Sequence, residues 1–101
     1  MYDPMTVTYR ALGNHRRRLI FEAIWESARQ KPPRGGARPF ATITELARRL
    51  KLAQPAVSQY VEKLVRGRLV DIKRLGNVHL CIPNEETVRQ MRDYFGDFLR
   101  E

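Results

Sequence analysis

Residues 42–67 constrain the fold more than any other stretch of this chain. Thr42-Ile43-Thr44-Glu45 has the spacing of a capping box, in which the Thr42 hydroxyl accepts from the Glu45 N–H and the Glu45 side chain reaches back. A short helix should follow, with Leu46, Ala47 and Leu50 as its inner face. Lys51-Leu52-Ala53 leaves room only for a tight turn. A second helix should begin near Gln54, with Pro55 where a missing N–H costs nothing. Val57, Val61, Leu64 and Val65 give that helix an inner stripe, and Gly67 should end it, as Gly does just past a helix. By itself such a pair is a helical hairpin that many domains could contain, so the flanking segments must decide its meaning.

Those segments place the pair in a definite order. Residues 4–12 suit a short helix with Met5, Tyr9 and Leu12 on one side. Asn14 can cap a longer helix in which Leu19, Ile20, Ala23, Ile24 and Ser27 recur at helical spacing, widened by Phe21, Trp25 and Ala28 and ending near Gln30. Residues 31–41 hold three Pro and two Gly, which predicts a flexible surface loop. After the pair, Leu69–Arg74 and Val78–Ile82 are of strand type and flank Gly76-Asn77, a hairpin signal. A two-residue loop would set Arg74 opposite His79 and Ile72 opposite Cys81. Pro83 should stop the second strand. Asn84 can cap a last helix over 84–100, with Glu85 and Glu86 in its first turn, where the dipole favours them. The 101 residues therefore form one domain, mainly helical with a two-stranded hairpin: α+β.

Charge separates the chain into two parts. Residues 1–83 hold 16 basic and 6 acidic side chains, a net +10, whereas residues 84–101 are net −2. A polyanion is drawn to the body of the domain and not to its tail. In a helix-turn-helix the second helix lies in the major groove and reads base edges from its N-terminal turns. Gln54, Pro55, Ser58 and Gln59 occupy the outer side of those turns here. Gln pairs bidentately with adenine and Ser serves several bases, so these four are the candidates for base readout. Arg48, Arg49, Lys51, Lys63 and Arg66 surround them and suit phosphate. Lys73, Arg74 and Asn77 add a narrow basic β-tip able to track the backbone or enter a minor groove.

This order of elements resembles the ArsR/SmtB-type winged helix-turn-helix repressors. The resemblance is carried by Leu12–Glu22, by Glu45–Gln59 with its Gln54-Pro55-Ala56-Val57-Ser58-Gln59 run, and by the hairpin from Leu69 to Asn84. It implies a winged helix, a homodimer joined by the terminal helices, and repression through operator binding. The family's metal sensors carry a cysteine pair near the helix before the turn, or Asp and His ligands on the last helix. Residues 44–50 contain no cysteine and residues 84–101 no histidine. The family commonly has Ser where this chain has Ala53, a poor cap, and the 31–41 loop is longer than the resemblance leads one to expect.

The remaining candidates are few. His15, His79 and Cys81 are the only soft ligands. His79 and Cys81 share one strand face, but a metal site needs three or four ligands, so no metal or other cofactor is expected. A redox role for Cys81 would need exposure and a lowered pKa, whereas its Leu80 and Ile82 neighbours suggest burial. Arg29, Lys31, Arg34 and Arg38 make the 31–41 region either an arm for phosphate or a solvated insertion. Met5, Tyr9, Leu12, Val88, Met91, Phe95 and Phe98 are the expected dimer seam, because a terminal helix of so short a domain has few places to bury such a stripe. No nucleophile–base pair or phosphate-binding Gly-rich loop argues for an enzyme. No apolar run approaches a membrane span, no signal peptide opens the sequence, and the single cysteine suits a reducing cytoplasm. The sequence thus predicts a cytoplasmic, homodimeric, double-stranded-DNA-binding regulator whose inducer is unknown. A plasmid-partition or architectural DNA-binding protein, and a winged helix used only for protein contacts, are the alternatives.

Overall fold

The computed structural model describes residues 3–30 and 41–100. Its elements run α1 (Pro4–Ala11), α2 (His15–Arg29), β1 (Ala41–Thr42), α3 (Ile43–Leu50), α4 (Gln54–Arg66), β2 (Val70–Leu75), β3 (Val78–Pro83) and α5 (Glu85–Leu99). The loop expected over 31–41 lies outside the described residues except at its last position. There the expectation is corrected, because Ala41 is a fully buried strand residue.

Helix starts are set by side-chain caps. Asp3 accepts from the Thr6 N–H at 2.9 Å, Asn14 from the Arg17 N–H at 3.0 Å, Thr42 from the Glu45 N–H at 3.0 Å and Asn84 from the Thr87 N–H at 3.2 Å. Each satisfies one of the donors a helix leaves open at its N-terminus. The return bond expected from the Glu45 side chain is not made among the described residues. Ala53 provides no side-chain cap for α4.

The two helices of the central pair end alike. Leu52 N–H reaches the Ala47 carbonyl at 3.0 Å and Lys51 N–H the Arg48 carbonyl at 3.4 Å, with Lys51 left-handed at φ 55°. After α4, Leu69 N–H reaches the Leu64 carbonyl and Arg68 N–H the Val65 carbonyl, both at 3.0 Å, with Arg68 at φ 62°. Both are Schellman closures, each turning the chain sharply after the helix.

The sheet has three strands in the order β1-β3-β2, all antiparallel. The hairpin register is the expected one, with Arg74 opposite His79 and Ile72 opposite Cys81. Gly76 takes φ +60° and Asn77 does not join it at positive φ, the pattern of a type II′ turn. Two expectations are corrected here. Ala41 and Thr42, paired with Cys81 and Leu80, add a third strand to the expected two-stranded hairpin. Pro83 closes β3 from within, opposite Val70, at the strand end where a missing donor is tolerated.

The core lies between α2, α3, α4 and the sheet. Ile20, Ile24, Leu46, Val57, Val61, Leu64, Leu69, Val70 and Cys81 are all fully buried. The buried strip of α2 is Ile20, Ala23, Ile24 and Ser27, and that of α4 is Val57, Val61 and Leu64. Leu19 and Val65, expected on those inner faces, are exposed instead. Each sits next to the strip, about 100° around the helix from a buried neighbour, and the strip is too narrow to include it.

Candidate nucleic-acid interface

The four residues expected to read bases share one exposed surface. Gln54, Pro55, Ser58 and Gln59 all face solvent on the first two turns of α4. The buried strip holds the opposite side of the helix against the core, so their orientation is fixed by packing. The Gln54 side chain is not free. Its amide Nε2 donates to the Thr44 hydroxyl at 2.6 Å, tying the start of α4 to the first turn of α3. That bond engages Nε2 and leaves the side-chain amide oxygen of Gln54 available as an acceptor.

The start of α4 and the hairpin tip border a common groove of about 500 Å³. Gln54, Pro55 and Ser58 line one side, Asn77, Val78 and His79 another, and Thr42, Ile43 and Thr44 complete it. The α4 residues and Asn77 are sites that the sequence predicts, whereas Thr44 and His79 are not. Thr44 follows the Thr42 cap by two residues and His79 follows the hairpin turn, so each is signalled only once α3 and the hairpin are known to converge. Gln59 does not line this groove and lies farther around α4.

The basic residues flank this surface. Arg48, Arg49 and Lys51 are exposed at the end of α3, where the helix dipole favours cations. Lys63 and Arg66 are exposed in the last turn of α4, and Arg66 bonds Glu62 at 2.9 Å in a solvent-screened pair. Lys73 and Arg74 are exposed on β2, next to the Gly76-Asn77 tip. Arg29, which in the sequence groups with the following basic loop, places its guanidinium over the Trp25 ring at 4.9 Å from the centroid.

The candidate sensing residues are separated. Cys81 is fully buried between β1 and β2, and burial pushes its thiol up to about 11, so it stays protonated near neutral pH. His79 is half-buried in the groove and His15 is exposed at the start of α2. Among the described residues no three His, Cys, Asp or Glu side chains gather. No helix among them is long and apolar enough to cross a membrane.

The expected dimer seam is exposed along most of α5. Thr87 is the one buried residue of its fifteen. Tyr9 of α1 packs on Tyr94 and Phe95, with ring centroids 6.1 and 5.7 Å away, and Tyr94 packs edge-on to Phe98 at 5.2 Å. Met5 is exposed, whereas Leu12 and Met91 pack partly against the core.

Known proteins share both the segment and the architecture. Residues 37–70 match the family model described as winged helix-turn-helix DNA-binding. No curated protein sequence matches the chain. The crystal structure of an ArsR family transcriptional regulator, RHA00566, superposes with a TM-score of 0.75 at 18% identity, covering 96% of this chain and 93% of that one. The homodimeric winged helix-turn-helix DNA-binding domain of Mb0332 from Mycobacterium bovis, a possible ArsR-family regulator, superposes at 0.69 and 20% identity, over 98% and 83% of the two chains. Reduced HlyU from Vibrio cholerae does so at 0.64 and 21%, over 97% and 90%. Residues 37–70 are thus similar to a winged helix-turn-helix DNA-binding family, and the chain as a whole has the fold seen in ArsR-family transcriptional regulators.

Proposed function

We propose that the protein is a sequence-specific double-stranded-DNA-binding transcription regulator. It acts as a homodimer on a pseudo-palindromic operator and represses by occupying it. The observation that carries this reading is the exposed face of Gln54, Pro55, Ser58 and Gln59. It is held rigid by the core, opens toward the hairpin tip, and is flanked by basic residues on both sides. In this reading Gln54, Ser58 and Gln59 read bases while Pro55 lets the backbone approach. Arg48, Arg49, Lys51, Lys63, Arg66, Lys73, Arg74 and Asn77 hold phosphate and sugar. Binding alone excludes competing proteins from a promoter, so no catalytic chemistry and no cofactor are required. The single cysteine supports a reducing, cytoplasmic setting. The terminal helices α1 and α5 join the two copies, which supports a pair of half-sites about 34–36 Å apart or a multiple of that.

Selection of duplexes from a random pool tests this reading, and a pseudo-palindromic consensus is expected. On that duplex Gln59→Ala should relax preference at one position per half-site, losing roughly 1–3 kcal/mol of discrimination. Arg74→Ala should weaken all sequences alike and lower the salt dependence. Equal loss on selected and scrambled duplexes for Gln59→Ala, or altered base preference for Arg74→Ala, would show the roles to be wrongly assigned.

A further inference from the structure

A second group of cations lies outside the groove between α4 and the hairpin. Arg10 of α1, Arg17 of α2, and Lys63 and Arg66 of α4 line a hollow of about 270 Å³, completed by Val7 and Ala11. Among the described residues no carboxylate lines it. Arg17 is fixed at its edge, because its Nε donates to the Ala11 carbonyl at 2.6 Å and its guanidinium NH2 to the Arg10 carbonyl at 3.1 Å. The Arg66–Glu62 pair is exposed on both sides and therefore weak enough for an anion to replace. Three helices thus bring four cationic side chains to one small concavity, a setting that attracts an anion.

The position of the hollow identifies the anion. Helix α4 has thirteen residues and is about 20 Å long. A major groove is only about 12 Å wide. With the first turns of α4 in the groove, its last turn passes over the groove edge, where the sugar–phosphate strand runs. Lys63 and Arg66 of that last turn are the residues shared between the outer face of α4 and the hollow. We infer that Arg10 and Arg17 of the α1–α2 junction join Lys63 and Arg66 in clamping one backbone phosphate of the bound duplex, at the edge opposite the hairpin.

This inference rests on the DNA-binding reading, and the test separates the two. The probe is the duplex recovered by selection, made as a series in which single phosphates are replaced by neutral methylphosphonates. In the wild type, one substitution per half-site beyond the end of α4 should weaken binding. Arg10→Gln should weaken binding to the unmodified duplex, lower the salt slope by about 0.9 for each phosphate it no longer neutralises, and abolish the penalty at that one phosphate while leaving the others. Arg10→Lys should restore most of the slope. A recovered duplex with an unchanged slope and substitution profile in Arg10→Gln would overturn this inference and leave the regulator reading standing. Failure to bind any duplex would overturn both. Inorganic phosphate is titrated in parallel at constant ionic strength. Weaker DNA binding in the wild type and not in Arg10→Gln is expected, because the free anion competes for the same seat. Phosphate that binds the wild type through Arg10 and leaves its DNA affinity unchanged would make the hollow a receptor for a free anion and overturn the backbone assignment.

Discussion

Gly67 and Arg68 exchange the roles that their residue types suggest. The sequence places Gly67 just past α4 as its stop signal, where a left-handed residue is common. In the structure Gly67 has an ordinary φ of −79°, and Arg68 takes the left-handed turn at 62°. Gly67 is needed for another reason. A Cβ there would lie 2.7 Å from the Ala11 Cβ and 3.4 Å from the Thr8 Cα, so only hydrogen lets α1 approach α4 this closely. The Thr8 hydroxyl completes the contact by donating to the Gly67 carbonyl at 2.7 Å, within the buried interior. Opposite outcomes follow at adjacent positions. Gly67→Ala should cost about 1–3 kcal/mol, because backbone and a short methyl must move apart. Arg68→Gly should stabilise by up to about 1 kcal/mol, since a left-handed φ is costly for a residue with a Cβ. Urea midpoints of the two variants decide it. Equal and small shifts would show that α1 yields easily and that the Arg68 turn carries no strain.

At the scale of elements, the sequence is most informative where a local bond defines the boundary. Asn14, Thr42 and Asn84 are each legible as caps and each accepts the expected N–H. The hairpin register is legible because Gly76-Asn77 leaves only one short loop. Strand β1 is not legible, since two residues carry no alternation and its pairing is with Cys81 and Leu80, far along the chain. Leu19 and Val65 mislead for a related reason: their apolar character fits a wide inner face, and only the packing shows how narrow that face is. Within the candidate site, single exposed positions on α4 are legible from helical phase. The convergence of Thr44 and His79 on them, and of Arg10 and Arg17 on Lys63 and Arg66, depends on contacts between elements that periodicity does not encode. The one weak joint of the central pair is the start of α4. Ala53 offers no side-chain acceptor there, and Pro55 has no N–H, which leaves the Ala56 N–H as the donor to satisfy. Ala53→Ser should supply that acceptor and raise stability by about 1 kcal/mol in chemical denaturation, with little change in the unfolding slope. No gain would mean that water already satisfies Ala56.

The whole molecule is divided between a basic body and a terminal helix that leaves an apolar stripe exposed. Residues 1–83 carry net +10 and residues 84–101 net −2, so a duplex is attracted to the α4 side and not to α5. Along α5, Tyr94, Phe95, Phe98 and Leu99 are 41%, 53%, 69% and 83% exposed. The Tyr9 hydroxyl beside them is buried without a hydrogen-bond partner among the described residues. A second copy packed about a two-fold axis would cover the same four side chains twice. Covering the exposed part of each contributes about 1–2 kcal/mol, or about 8–16 kcal/mol over eight side chains. Association itself costs about 4–15 kcal/mol, so the gain and the cost are of the same order. A dimer held by so narrow a margin is sensitive to one change at its centre. Phe95→Glu removes an aromatic contact and places a charge where water is excluded, which costs several kcal/mol per subunit. Sedimentation at micromolar concentration should therefore show a dimer for the wild type and a monomer for Phe95→Glu, with Phe95→Leu remaining dimeric. The monomer should retain weak binding to an isolated half-site and lose the gain from two linked half-sites, because α4 and its core are untouched. A wild type that sediments as a monomer, or a Phe95→Glu variant that stays dimeric, would place the self-association surface elsewhere.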